Sequence, residues 1–150
     1  FLDSLPEEHF DVITMSHVFE HVPNPEQLLE RAMALLAPGG SLWLACPNPD
    51  SIGFQLFKHN WWGIHAPFHL VIPTRAITTK WLHNAGFEFV RQFTRSASSS
   101  YYWRMSENLP QKMGDAGIFL RTCVVGTLIA ISILSRKYSD EQIFMAQKPS

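Results

Sequence analysis

The sequence is poor in cysteine, in net charge and in long uncharged runs. Two cysteines in 150 residues, Cys46 and Cys123, cannot build a disulfide framework or a four-thiolate zinc site, and they point to a reducing, cytoplasmic compartment. Twelve Lys and Arg against 13 Asp and Glu leave a formal charge of −1, which gives no pull toward nucleic acid or an acidic membrane surface. Residues 122–135 carry no charge, but they fall short of the roughly 20 that span a bilayer. No strongly cationic face accompanies them, so packing on the fold is expected over contact with a membrane interface. The chain also has no initiator Met, and Phe1-Leu2-Asp3 reads as the interior of a longer sequence. What is there is apolar enough to fold: 46% hydrophobic against 17% charged excludes a disordered chain, and the length suits one domain.

Phe10 to Met15, rich in β-branched and aromatic residues, reads as a strand buried on both faces. Asn24-Pro25 then starts a helix, with Gln27 placed for a capping box. Leu28, Leu29, Ala32, Met33, Leu35 and Leu36 form its apolar face, and Pro38-Gly39-Gly40 stops it. Ser41 to Cys46 is a second strand. Asp50 to Val71 has no periodicity but is dense in His, Trp and Phe, and a long aromatic loop in a compact domain is often functional. Thr74 caps a helix closed by Gly86. Phe87 to Thr94 reads as a strand with Phe87 and Phe89 on one face, Gly117 to Leu134 as a helix, and Gln142 to Gln147 as a last strand. Alternation of this kind means an α/β protein with a largely parallel sheet, whose ligands sit beyond the carboxyl ends of the strands.

Phe10-Asp11-Val12-Ile13, Ser16-His17-Val18-Phe19-Glu20-His21-Val22, the Leu-rich helix, Leu36-Ala37-Pro38-Gly39-Gly40, His65-Ala66-Pro67-Phe68-His69-Leu70 and Ala85-Gly86-Phe87-Glu88-Phe89-Val90 occur in that order. Together they resemble the second half of a class I S-adenosylmethionine-dependent methyltransferase, nearest to the ubiquinone-biosynthesis-like O-methyltransferases. The resemblance implies a Rossmann-like sheet, mostly parallel with an antiparallel final strand. It makes residues 1–150 a single partial domain: a core match over 1–95, a helical insertion over 96–140 and the final strand over 141–150. The family's glycine-rich cofactor turn has no counterpart, since no G-x-G-x-G occurs. A truncated methyltransferase, its N-terminal strands absent, is therefore expected to bind S-adenosylmethionine poorly and to self-associate through its bared strand edge or the Gly117 to Leu134 helix.

By position, the resemblance puts Leu2, Ser16, His17 and Val18 beside the cofactor. Methyl transfer needs an acceptor held near the methyl group and relieved of its proton, so His17, His65 and His69 are the catalytic candidates. His17-x-x-Glu20-His21 is similar to the E-x-x-E-H metal motif of some relatives, with His17 in place of the first Glu and His65 or His69 as distal ligand. The ligand set taken is His17, Glu20, His21 and His69, whose mixed imidazole and carboxylate donors favour zinc, iron or manganese over magnesium. The plain reading is a turn in which these groups only pack and hydrogen-bond. Phe57, Trp61, Trp62, His65 and Phe68 are either a lid over a flat small-molecule acceptor or a cover for the sheet edge. Asn48, Trp61 and Trp62 are the acceptor contacts, and Cys46 is a small buried residue. Two other functions stay open: a cofactor-free interaction module, and a metal-dependent hydrolase using the His17/Glu20/His21 cluster.

Overall fold

The computed structural model describes residues 2–93 and 138–150, and between them residues 102, 105, 106, 126, 127, 130, 131 and 135. The helix expected over Gly117–Leu134 lies outside the described residues except at 126, 127, 130 and 131, which are helical. Thr94, the polar break at 96–100 and Cys123 also lie outside them.

Among the described residues, four strands form one sheet in the order β1-β2-β4-β3: β1 Phe10–Ser16, β2 Leu36–Pro47, β3 Glu88–Phe93 and β4 Glu141–Gln147. β1 and β2 are parallel, while β4 runs antiparallel to both β2 and β3. Three strands thus share a direction and the last is reversed. Parallel neighbours need a crossover, and α1 Pro25–Leu35 provides it between β1 and β2. α3 Arg75–Asn84 precedes β3 and starts at Thr74, whose hydroxyl accepts from the Ile77 amide at 3.3 Å. Leu42 and Leu44 face the same side as their β4 partners Ala146 and Phe144. Leu29, Ala32, Leu82 and Phe87 join them in the main core. Among the described residues no helix is long and apolar enough to cross a membrane.

Several local expectations are corrected. β1 is not buried on both faces: it pairs on one side only, and Val12 is 60% exposed. Asn24 precedes the helix but makes no side-chain cap: its backbone, at φ −133° and ψ 73°, lies outside the extended region usual at that position. α1 ends at Leu35, and Leu36 already lies in β2, since Pro38 draws Ala37 out of helical space. Phe89 does not share the face of Phe87. It has φ +48° at an irregularity in the β3 register, so it is 70% exposed while Phe87 is 2% exposed. The aromatic stretch contains α2 Ile52–Phe57, capped by Ser51, and 3₁₀ turns at Lys58–Asn60 and Trp62–Ile64. Elements this short give no readable periodicity.

Candidate functional site

Reversal of β4 decides what meets at the carboxyl end of the sheet. Glu141, the first residue of β4, stands opposite Pro47, the last of β2. His17 follows β1 directly: its amide still bonds Ala45 O at 2.9 Å, but its backbone is left-handed at φ +53°. Such a conformation costs a non-glycine residue about 1–3 kcal/mol and survives only where surrounding contacts impose it. The contacts are two acids. His17 Nδ1 lies 3.0 Å from Glu20 Oε1, and Nε2 lies 2.7 Å from Glu141 Oε1. Both carboxylates are buried. Glu141 first, then Glu20, raise the His17 pKa to about 9 against the opposing effect of burial. His17 is therefore an imidazolium at neutral pH. With its two ring nitrogens on two carboxylates, His17 directs no lone pair at an acceptor or a cation.

The other two histidines are arranged in the opposite way. His21 Nδ1 lies 2.9 Å from Phe68 O, and His69 Nδ1 lies 2.7 Å from Gly63 O. A carbonyl only accepts, so these assignments put the proton on Nδ1 and leave each Nε2 a lone pair. Burial, foremost, lowers the His69 pKa. The ligand-capable atoms of Glu20, His21 and His69 lie within 4.8 Å of one another, and His69 Nε2 is 3.9 Å from Glu20 Oε1. Glu20 Oε2 is buried and has no hydrogen-bond partner among the described residues. Leu70 and Val71 amides bond Glu20 O at 2.8 and 3.2 Å, which ties the histidine-bearing segment to the end of β1. A buried carboxylate oxygen without a donor, beside two imidazoles whose other nitrogens are fixed, suits a divalent cation.

Beside this cluster is a cavity of about 350 Å³ lined by Trp61, Trp62, Ile64, His65 and Met105 among others. His65 sits between the Trp62 and Phe68 rings, with centroids 4.7 and 5.1 Å away, and lies 5.2 Å from the His69 ring. Trp61 is fixed in place. Its indole N–H donates to Asp140 Oδ1 at 2.8 Å, its ring packs on Tyr102 and Phe54, and it is 1% exposed. Ser51 donates to the same Asp140 oxygen at 3.0 Å. A Cβ at Gly53 would collide with the Asp140 carboxylate and one at Gly63 with the Trp61 ring, so the close approach at both places needs glycine. The loop is thus latched to the start of β4.

Asn48 was expected to touch the acceptor, but it is fully buried. Its Nδ2 donates to Ser139 O at 2.7 Å and its Oδ1 accepts from the Asp50 amide at 3.0 Å. It tethers the chain beyond β2 to the residues before β4. Leu2 lines a different cavity, of about 430 Å³, with Val22, Asn24, Leu28 and Arg31. Ser16 and Val18 are exposed on either side of His17. Cys46 is buried and free, its thiol pKa pushed up by burial. Asp140 and Glu141 were missed: in the sequence they precede an apolar run just as loop acids would.

A family model described as a methyltransferase domain matches residues 3–92. The ubiquinone biosynthesis O-methyltransferase of Coxiella burnetii is 31% identical over 64 residues, which is 43% of this chain and 26% of that protein. The protein of the same name from Xanthomonas euvesicatoria is 38% identical over 47 residues, covering 31% and 20%. The chain thus spans about a fifth to a quarter of the length of these relatives. Among solved structures, a SAM-dependent methyltransferase from Archaeoglobus fulgidus superposes with a TM-score of 0.61 at 20% identity, covering 98% of this chain and 63% of that one. A Haemonchus contortus phosphoethanolamine N-methyltransferase with bound S-adenosyl-L-methionine gives 0.56 at 15%, covering 98% and 35%. At these identities the structural likeness establishes the fold, an α/β sheet with one reversed strand, and the family match over residues 3–92 establishes the rest: the chain belongs to the methyltransferase-domain family.

Proposed function

We propose that the protein carrying this chain transfers a methyl group from S-adenosylmethionine to a hydroxyl of a small-molecule acceptor, with a divalent cation held by Glu20, His21 and His69. The observation that carries the reading is the buried, undonated Glu20 oxygen beside two imidazoles that keep Nε2 lone pairs. When bound, S-adenosylmethionine supplies an electrophilic methyl on sulfur, and the cation makes a coordinated hydroxyl easier to deprotonate. This chain's own residues bind and orient. Trp62 and His65 wall an open cavity whose aromatic lining suits a flat acceptor. His65, on that wall with its ring 5.2 Å from that of His69, is the residue we assign to receive the hydroxyl proton. Leu2 and Val18 are 40% and 45% exposed; these open apolar side chains, with the Ser16 hydroxyl, suit one wall of a cofactor site.

The low His69 pKa and its Nδ1 bond to Gly63 O also favour a second, metal-free reading, in which His69 Nε2 is itself the proton acceptor. The experiment is methyl transfer by the native protein to a panel of phenols and catechols, followed by mass spectrometry. It is run with and without EDTA, then with zinc or manganese restored. Methylated product that vanishes in EDTA and returns with metal supports the first reading. Full activity in EDTA supports the second, and methylation at nitrogen alone would overturn the oxygen acceptor in both.

A further inference from the structure

Glu141 reaches the site from the far end of the chain, through its contact with His17. It is 1% exposed, and among the described residues its one ion pair is the 2.7 Å contact with His17 Nε2. Neither carboxylate oxygen has a hydrogen bond of good geometry among the described residues. Its neighbour Gln142 gives it nothing, since that amide donates to Pro47 O and Pro73 O at 2.9 and 2.7 Å. A buried carboxyl group with so little to satisfy it is costly. For packing alone, an apolar residue would serve better at a strand position facing Pro47.

The contact has a direction. His17 stands between two acids on its two ring nitrogens, and its left-handed backbone gives the ring none of the support a regular strand provides. Glu141 fixes the ring from one side, and the ring in turn engages Glu20 Oε1 at 3.0 Å. That leaves Glu20 Oε2 without a hydrogen-bond partner among the described residues. We propose that Glu141 is a positioning residue: through His17 it holds the Glu20 carboxylate in the orientation in which its free oxygen, with His21 and His69, receives a divalent cation. An acid that orients an imidazole is a common support for metal ligands. Here the imidazole passes that support on to a carboxylate ligand. The proposal rests on the cation reading above.

The test is a titration of the chain with Co²⁺, read by its visible ligand-field absorption and by displacement with Zn²⁺, with circular dichroism to verify folding. Glu141→Leu is expected to weaken Co²⁺ binding about 10- to 100-fold and to alter the band shape as Glu20 moves. Glu141→Gln keeps the length and an acceptor oxygen, so it retains part of the affinity and serves if the Leu variant fails to fold. His17→Ala should cause a loss equal to that of Glu141→Leu. The double variant should be no worse than either single one, because the two residues act in series. Unaltered affinity in both Glu141 variants, or losses that multiply in the double variant, would overturn the proposal while leaving the cation reading intact. No Co²⁺ uptake by the unaltered chain would overturn the cation reading and this proposal with it.

Discussion

The two sides of the site use the same residue type for opposite purposes. On the strand side, His17 sits between Glu20 and Glu141 and is held as a cation. On the loop side, His21 and His69 give Nδ1 to backbone carbonyls and leave Nε2 open, and burial lowers the His69 pKa. The difference lies in the neighbours: two carboxylates raise the His17 pKa, whereas at His69 burial outweighs the opposing effect of the Gly63 carbonyl. Position relative to a strand end therefore does not make a histidine catalytic. The partner on its second nitrogen decides.

Loop-side rigidity is the first thing to break. Trp61→Ala removes a buried indole, its bond to Asp140 and its packing on Tyr102, and should cost about 3–5 kcal/mol in denaturant unfolding. A loss under about 1 kcal/mol would mean that the loop is not latched. If the loop side holds a cation, zinc at a hundred times its Kd should raise the unfolding free energy by about 2.7 kcal/mol. His69→Ala should abolish that rise, and a rise that persists in the variant would place the metal elsewhere. Asp140→Asn keeps the shape but weakens the acceptor for Trp61 and Ser51, with an expected cost of about 1–3 kcal/mol. The smallest effect is on the strand side. The His17 pKa, about 9 in the fold against 6.5 ordinarily, contributes stability that is complete below pH 6.5 and lost as pH rises through 9. In chelator, the denaturant midpoint should fall across that interval, and His17→Gln should flatten the fall. An equal slope in both proteins would remove the clamp from the account.

Sequence patterning made the order of elements legible because α1, β2 and β4 carry strong periodic or apolar signals, and the motif around residues 16–22 located the site. Its chemistry was only partly legible. Glu20, His21 and His69 could be grouped from motif spacing, but the tautomers depend on Phe68 O and Gly63 O, which no side-chain pattern reveals. His17 looked like a base because its partner Glu141 lies 124 positions later (141 − 17) and meets it only through the reversed strand. Asn48 and Trp61 were read as contacts for an acceptor because polar and aromatic loop residues often are. Their hydrogen-bond partners, Ser139 and Asp140, again come from the chain just before β4. The common reason is long-range pairing: each missed or misread role depends on residues 139–141, whose burial follows from where β4 docks.

The central claim is the contrast between a charged His17 and a neutral His69, and nitrogen-15 NMR of the imidazole rings at pH 7.5 in the metal-free chain tests it most directly. The account predicts both His17 nitrogens protonated, with shifts of an imidazolium, and His69 neutral with its proton on Nδ1. A neutral His17 at that pH, titrating near 6.5 alongside a His69 of the same behaviour, would contradict it.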